Sequence, residues 1–290
     1  MKRMLAAFAF ASAMALPAVA GAASIAIVAA ENFYGESATA IGGDRVAVES
    51  VIVAPGTDPH DFDAPPSVAT AIADAKIVIM NGADYDDWIE HLLEASDAEG
   101  RIVINVAELI GVGEGDNPHV WYDPKAMPAL AIALTEQLIV VDPEGKADYE
   151  ARRDAFLTTL APLQERIAAV REKFAGAPVA ATEPVFGYMA EALGLKMRNE
   201  DFQTAIMNET EPAASDIAAM EDDVRNGRVK VLFYNSQVDD SLTRNLADLA
   251  NAAGVPVVGV TETQPEGKSF VEWMLDTVNA TARALGDTSS

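Results

Sequence analysis

The sequence predicts an α/β protein in which two α/β lobes, each with a mostly parallel sheet, are joined by one long linking helix. In both halves of the chain, short β-branched runs alternate with segments of helical periodicity, which is typical of parallel sheets with crossover helices. Between the halves, apolar residues recur at helical spacing from residue 144 to residue 174, enough for about 45 Å of helix. We therefore predict a first lobe at 24–142, a linking helix at 143–176 and a second lobe at 177–290.

The chain begins with the pattern of a secretory signal peptide, which we place at residues 1–23. Lys2 and Arg3 precede an apolar run, and small residues follow it. We therefore expect a periplasmic protein. Because the sequence contains no cysteine, we expect no lipid anchor, and stability must come from a packed core. No later apolar stretch reaches the roughly 18 to 20 residues that a membrane-spanning helix needs.

In the first lobe, strands are predicted where β-branched residues cluster and helices where apolar residues recur every three or four positions. The predicted strands are 24–29, 46–53, 76–80 and 101–106, and the predicted helices are 67–75, 85–94 and 124–140. Asp123 before Pro124 favours a helix start, because aspartate can cap free amides and proline is tolerated in the first turn.

The long helix contains Pro162, which can kink it, and two surface helices meeting at that proline are the alternative. Beyond Gly176 the alternation of strands and helices resumes. The predicted strands are 179–182, 229–234 and 255–260, and the predicted helices are 186–193, 213–226, 239–253 and 269–285. Gly227 and Gly254 stand where helix C termini favour a left-handed residue.

The charge balance favours cations as partners. With 20 basic and 45 acidic residues, the chain has a net charge of −25 at pH 7. This charge argues against nucleic acid and anionic membrane surfaces as partners. Acidic charge also keeps an exported protein soluble, so it does not by itself indicate a cation site.

Four residues are candidate metal ligands. His60 and His119, two of the three histidines, each follow a proline in an acidic, turn-forming segment. Neutral imidazole is the commonest protein metal ligand, and without cysteine a transition-metal site must combine it with oxygen donors. Glu183 and Glu262 directly follow predicted strands of the second lobe, where open α/β sheets bind ligands. The third histidine, His91, lies in an amphipathic helix and is expected at the surface.

The ordered segments PGTDPHDF at 55–62, NPHVW at 117–121 and TEPVFGY at 182–188 resemble the metal-binding segments of the cluster A-I solute-binding proteins. These are the zinc and manganese receptors of bacterial ABC importers. The similarity runs over essentially the whole mature chain, including the late segments 209–212 and 235–240. It implies a non-enzymatic protein, which we expect to be a monomer, that captures a divalent metal ion in the interlobe cleft. The ion is then delivered to a permease and its ATPase.

The resemblance also assigns the ligands. It places the first two at His60 and His119 and the third, a His or a Glu in this family, at Glu183. The fourth is usually an Asp after the last strand, whereas this chain has Glu262, whose side chain is one methylene longer. Asp239 or Asp240 is the alternative for that position. Trp121, Phe186 and Tyr188 are expected to form the cleft walls rather than to contact the ion.

The resemblance bears on the metal as well. Zinc receptors of this family often have a third histidine ligand and a His-rich insert between the first two, but here Glu183 stands at the third position and the interval contains only His91. Manganese is therefore favoured, with zinc as the alternative, since the donors suit both. Because the long helix connects the lobes, we expect closure by loop ordering or slight tilting.

Two other classes of protein are alternatives. A metal-dependent hydrolase needs an open coordination position and a nearby general base, and no His-Glu-x-x-His motif is present. An adhesin or structural protein of the same fold would not require four convergent donors.

Overall fold

The structure is a computed structural model that describes residues 24–54, 57, 62–96, 98–237 and 240–288. The predicted signal peptide at 1–23 lies outside the described residues, as do His60 and Asp239. Two α/β lobes connected by a helical segment are present, as the sequence predicts. Within the described ranges, no helix has both the length and the apolar character needed to cross a membrane.

The first lobe is a four-stranded parallel sheet of order β2-β1-β3-β4 with helices packed on it. Its elements are β1 (Ile25–Glu31), α1 (Asn32–Gly42), β2 (Val46–Ile52), α2 (Pro66–Asp74), β3 (Ile77–Met80), α3 (Asp87–Ala95), β4 (Ile102–Asn105), α4 (Val106–Leu109) and α5 (Ala126–Val141). The central strands β1 and β3 are almost entirely buried because helices cover both faces of the sheet.

The predicted linking helix is present as two helices, α6 (Lys146–Thr159) and α7 (Ala161–Phe174), which meet at Leu160. Pro162 lies in the first turn of α7, where its missing N–H costs no helical hydrogen bond. Leu160 keeps right-handed helical angles, so the break interrupts the hydrogen bonding with little change in backbone conformation. Helix α6 packs on α1 and α5 of the first lobe, whereas α7 packs on the last helix of the chain.

The second lobe repeats the strand order of the first, with a parallel sheet of order β6-β5-β7-β8. Its elements are β5 (Pro178–Ala181), α8 (Gly187–Ala192), β6 (Lys196–Arg198), α9 (Glu200–Met207), α10 (Ala214–Arg225), β7 (Leu232–Asn235), α11 (Ser241–Ala253), β8 (Val257–Val260) and α12 (Phe270–Ala284). Gly227 and Gly254 have φ angles of 61° and 75°, which confirms the left-handed positions predicted at the ends of α10 and α11.

The two lobes share one buried apolar cluster. Trp121 and Tyr122, which precede α5, belong to the same cluster as Phe186 in the second lobe and Trp273 in α12. The ring centroids of Tyr122 and Phe186 lie 5.4 Å apart across the boundary between the lobes. A shared apolar interface restricts relative movement of domains, which favours the small closure motion expected from the sequence.

Helices α1, α4 and α9 and strand β6 were not predicted. Strand β6 has only three residues, two of which are exposed, so it has no apolar run. Helix α1 contains Gly35, which lowers helix propensity. A Cβ atom at Gly35 would lie 2.0 Å from the Ser50 Oγ atom, so glycine permits the close approach of α1 to β2. Packing of α1 against β2, rather than local helix propensity, therefore explains why this segment is helical.

Candidate metal site

Loops at the carboxyl ends of the two sheets meet at the boundary between the lobes. His119 lies in the loop before α5, Glu183 follows β5, Asn235 ends β7, and Glu262 lies two residues after β8. All four side chains are nearly fully buried. Parallel sheets place ligand-binding residues at such strand ends, which is how side chains distant in sequence come together here.

The orientation of the His119 ring is fixed by Asn117. The His119 Nδ1 atom lies 2.6 Å from Asn117 Oδ1, and Asn117 Nδ2 donates a 2.8 Å hydrogen bond to the Pro184 carbonyl oxygen. Because the second contact fixes the amide orientation, Oδ1 can only accept, and the ring hydrogen resides on Nδ1. The Nε2 lone pair of neutral His119 is therefore the one available to a metal ion.

His119 of the first lobe faces Glu262 of the second. The His119 Nε2 atom lies 3.6 Å from Glu262 Oε2. Two donors that bind one tetrahedral ion at about 2.0–2.2 Å are separated by about 3.3–3.6 Å. The observed separation is thus suited to a single ion shared by the two lobes.

Asn235 connects the two candidate carboxylates. Its Nδ2 atom donates to Glu183 Oε2 and, over 2.7 Å, to Glu262 Oε1. The carboxylates of Glu183 and Glu262 therefore lie on either side of one amide group. Like charges held this close repel each other, and a bound cation relieves that repulsion.

Gln237 holds this arrangement from the other side. The Gln237 backbone N–H donates a 3.1 Å hydrogen bond to Asn235 Oδ1, which fixes the orientation of the Asn235 amide. The Gln237 Oε1 atom accepts from the backbone N–H of Glu262, and its Nε2 atom donates to Thr263 Oγ1. The segment that carries Glu262 is thus attached to the end of β7 by side-chain hydrogen bonds.

Aromatic residues surround the site. The Tyr85 hydroxyl donates a 3.3 Å hydrogen bond to Glu262 Oε2, and burial together with the Glu262 charge raises the pKa of Tyr85 well above its ordinary value. The Trp121 and His119 ring centroids are 5.3 Å apart. Phe186 is buried, and the Tyr188 hydroxyl donates to the Asn117 carbonyl oxygen. These contacts place Trp121 and Tyr188 beside the site, whereas the ring of Phe186 packs against those of Tyr122 and Phe233.

Two buried acids near Tyr85 were not found by sequence reasoning. Glu31 is fully buried, and neither of its carboxylate oxygens has a hydrogen-bond partner among the described residues. Burial and then the neighbouring Asp86 raise the pKa of Glu31 well above its ordinary value. Asp86 accepts backbone N–H groups of Asn81 and Gly82, but burial raises its pKa to about 7. Glu31 is the last residue of β1. It therefore shares with Glu183 the position at a strand end that made Glu183 a candidate ligand.

The structure describes three of the four predicted ligands. His119, Glu183 and Glu262 come together, whereas His60 lies outside the described residues. Across the described ranges, no group of three His, Asp or Glu side chains has the arrangement needed to hold a metal ion. Asp240, the alternative fourth ligand, caps α11 by accepting the N–H groups of Leu242 and Thr243. His91 is exposed on α3, as predicted.

Further contacts fasten the lobes together beside the site. Glu36 in α1 accepts hydrogen bonds from Gln264 Nε2 at 2.7 Å and from the Phe270 backbone N–H at 2.9 Å. The Tyr122 hydroxyl donates to the Thr261 carbonyl oxygen at 2.9 Å. The segment containing Glu262 is therefore held by the first lobe on both sides of that residue.

A family model described as zinc-uptake complex component A, periplasmic, matches residues 27–284. The chain belongs to this family. Members of the zinc-uptake component A family are substrate-binding proteins rather than enzymes, and curated relatives are components of metal ABC transporters. This confirms the resemblance and the fold predicted from the sequence.

Relatives of this family member include receptors named for either metal. The manganese-binding lipoprotein MntA of Halalkalibacterium halodurans is 25% identical over 252 residues, covering 83% of this chain and 80% of the relative. The high-affinity zinc uptake protein ZnuA of Bacillus subtilis is 20% identical over 257 residues, covering 81% of this chain and 80% of the relative.

Solved structures share the fold. The periplasmic zinc-binding protein TroA of Treponema pallidum superposes with a TM-score of 0.76 at 19% identity, covering 91% of this chain and all of that chain. The manganese-bound periplasmic metal-binding protein of Candidatus Liberibacter asiaticus gives a TM-score of 0.71 at 20% identity, covering 89% of this chain and 98% of that chain.

Proposed function

We propose that this protein is the periplasmic substrate-binding protein of an ABC importer and captures Mn²⁺ or Zn²⁺ between its lobes. The observation that carries the proposal is the 3.6 Å approach of His119 Nε2 to Glu262 Oε2 across the lobe boundary. The family and the metal receptors among its relatives support the same conclusion.

Four side chains are proposed as ligands: His60, His119, Glu183 and Glu262. Imidazole nitrogens and carboxylate oxygens suit both metals. Two carboxylates balance the charge of a divalent ion, and the buried surroundings strengthen their attraction to it. Because the ligands must be deprotonated, binding releases any protons that they hold, and affinity falls at low pH.

Delivery requires membrane partners. The metal-loaded lobes would be recognised by a permease that is driven by a cytoplasmic ATPase, as expected for a transporter component. We infer that the protein acts as a monomer. Its net charge of −25 argues against binding to nucleic acid. We infer that residues 1–23 are removed as a signal peptide. The mature protein is then free in the periplasm, because the sequence has no cysteine that could carry a lipid.

Catalysis is not part of the proposed function. Four protein donors around one ion leave no open position for a substrate, whereas a catalytic zinc site keeps one. Assays with generic ester and phosphate substrates should therefore detect no hydrolysis by the metal-loaded protein. Metal-dependent turnover that disappears in His119→Ala would instead favour the hydrolase.

Metal-dependent thermal stabilisation tests the proposal. Metal-free protein should melt at a higher temperature after Mn²⁺ or Zn²⁺ is added, because a ligand that binds only the folded state stabilises it by about 4 kcal/mol at 1,000 times its Kd. His60→Ala and His119→Ala should each lose most of this shift. His91→Ala is the matched control, because His91 is exposed on α3. Unchanged melting of the wild-type protein with both metals would refute the proposal.

A further inference from the structure

We propose that Tyr85 is a positioning residue of the candidate metal site, which holds the Glu262 carboxylate of the second lobe in place opposite His119 of the first. This inference rests on the proposed function, because it takes His119 and Glu262 as ligands. Tyr85 is not itself proposed as a donor to the ion.

The hydroxyl contact of Tyr85 is the first observation. Tyr85 is 1% exposed and lies between β3 and α3 in the first lobe. Its hydroxyl donates a 3.3 Å hydrogen bond to Glu262 Oε2, the oxygen that lies 3.6 Å from His119 Nε2. Because a carboxylate oxygen has two lone-pair sites, Glu262 Oε2 can accept from Tyr85 and bind an ion at the same time. Hydrogen bonds of this kind orient carboxylates that ligate metals.

The turn that leads into Tyr85 has an unusual backbone. Gly82, Ala83 and Asp84 have φ angles of 78°, 54° and 60°, which place three consecutive residues in the left-handed region. Residues with a Cβ atom rarely adopt this region, and such strain persists where the surrounding structure holds it, often at functional sites. The strained segment ends directly before Tyr85, so the position of this side chain depends on how the turn is held.

Two hydrogen bonds attach this turn to the loop that carries His119. Asp84 Oδ2 accepts the Gly115 backbone N–H at 2.8 Å, and Asn81 Nδ2 donates to the Pro118 carbonyl oxygen at 2.8 Å. Gly115 and Pro118 shortly precede His119 in the chain. The turn is thus fixed relative to that histidine, and the tyrosine hydroxyl extends from it to the other lobe.

The Tyr85 ring is confined by aromatic neighbours. Its centroid lies 4.8 Å from that of Trp121 and 6.0 Å from that of His119. Phenylalanine would keep these ring contacts and remove only the hydroxyl that contacts Glu262. Tyr85→Phe therefore separates the proposed role from packing.

Zinc affinity is the first measurement. In titrations of metal-free protein, Tyr85→Phe should raise the Kd for Zn²⁺ by about 10- to 100-fold, the range for loss of an outer-shell partner. Tyr149→Phe is the matched control, because Tyr149 is a fully buried tyrosine whose hydroxyl also donates to a carboxylate, that of Asp142, at 2.8 Å. Asp142 follows α5 whereas His119 precedes it, so this control should bind Zn²⁺ with the wild-type Kd.

The near-ultraviolet spectrum is the second measurement, because a merely structural tyrosine would not change it. An ion on Glu262 Oε2 draws the carboxylate charge away from the Tyr85 hydroxyl, which should alter the absorption of that phenol. The difference between spectra with saturating Zn²⁺ and without metal should therefore contain a tyrosine contribution in the wild-type protein and in Tyr149→Phe. This contribution should be reduced in Tyr85→Phe.

The outcomes separate the two proposals. Failure of the wild-type protein to bind Zn²⁺ or Mn²⁺ would refute the proposed function and this inference with it. If the wild type binds Zn²⁺, an unchanged Kd in Tyr85→Phe, or a raised Kd with the tyrosine contribution intact, would overturn the inference alone. If Tyr85→Phe does not fold, a crystal structure of the Zn²⁺-loaded wild-type protein decides. A Tyr85 hydroxyl within hydrogen-bonding distance of a metal-bound Glu262 supports the inference, and a hydroxyl directed elsewhere overturns it.

Discussion

The Nε2 atom of His119 lies 3.6 Å from the Oε2 atom of Glu262, so an imidazole of the first lobe faces a carboxylate of the second. Neither side chain would be stable at this buried position without a partner, because an isolated buried charge or polar atom is costly. Their approach across the lobe boundary is the reason we propose the metal site there.

Loss of a ligand carboxylate should weaken metal binding strongly. Glu183→Gln removes one of the two negative charges that balance the ion, and we expect the Kd to rise by more than about a hundredfold, beyond the effect of losing an outer-shell contact. Isothermal titration with Zn²⁺ measures this change. Glu191→Gln is the matched control, since Glu191 is exposed on the neighbouring helix α8. Equal Kd values for the two variants would exclude Glu183 as a ligand.

Asn117 should act through the tautomer of His119. Asn117→Ala removes the acceptor 2.6 Å from His119 Nδ1 and should weaken Zn²⁺ binding about 10- to 100-fold. Asn117→Asp keeps an oxygen acceptor and should recover most of the affinity. Asn226→Ala, at an exposed asparagine after α10, should have no effect. An Asn117→Ala protein that binds like the wild type would contradict this role.

The buried Glu31 should make stability depend on pH. Its folded-state pKa is raised above its unfolded-state value, so the folded protein retains a proton that the unfolded chain releases. The contribution of Glu31 to the free energy of unfolding is therefore fully present below about pH 4 and is lost as the pH rises.

Urea unfolding of metal-free protein measures this effect. Compared with the wild type, Glu31→Gln should gain stability between about pH 5 and about pH 8, because glutamine carries no charge to bury. Glu172→Gln, at an exposed position on α7, should follow the wild-type pH dependence. Parallel curves for wild type and Glu31→Gln would show that Glu31 does not hold a proton in the folded protein.

The Glu36 contacts should contribute to the attachment of the lobes. Glu36→Ala removes the acceptor for Gln264 Nε2 and for the Phe270 N–H, and we expect the free energy of unfolding to fall by about 1–3 kcal/mol. Glu150→Ala removes a largely exposed pair with Lys146 and should cost less than about 0.5 kcal/mol. Equal losses in the two variants would mean that Glu36 contributes no more than a surface charge.

Much of the fold follows from local sequence. Apolar runs identify the central strands of both sheets, and Gly227 and Gly254 mark two helix ends because left-handed backbone suits glycine. Helix α1 was not predictable, since Gly35 lowers its propensity and only contact with β2 explains it. The break at Leu160 was located to within two residues by Pro162.

The position of the candidate site was predictable as far as its proposed ligands are marked by strand ends and histidines. Glu183 and Glu262 follow strands, and the structure brings both to Asn235. The roles of Asn235 and Gln237 were not predictable, because hydrogen bonds between side chains depend on three-dimensional placement rather than on spacing in the sequence. Glu31 lies at the end of a strand as well, so a position at a strand end does not by itself separate a proposed ligand from another buried acid.

The most direct test of the central claim is anomalous diffraction from crystals of the Zn²⁺-loaded protein, recorded on both sides of the zinc absorption edge. We predict one anomalous peak at the lobe boundary, about 2.0–2.2 Å from His60, His119 Nε2 and one carboxylate oxygen each of Glu183 and Glu262. A peak bound to other residues, or no ordered peak in the loaded protein, would contradict the account.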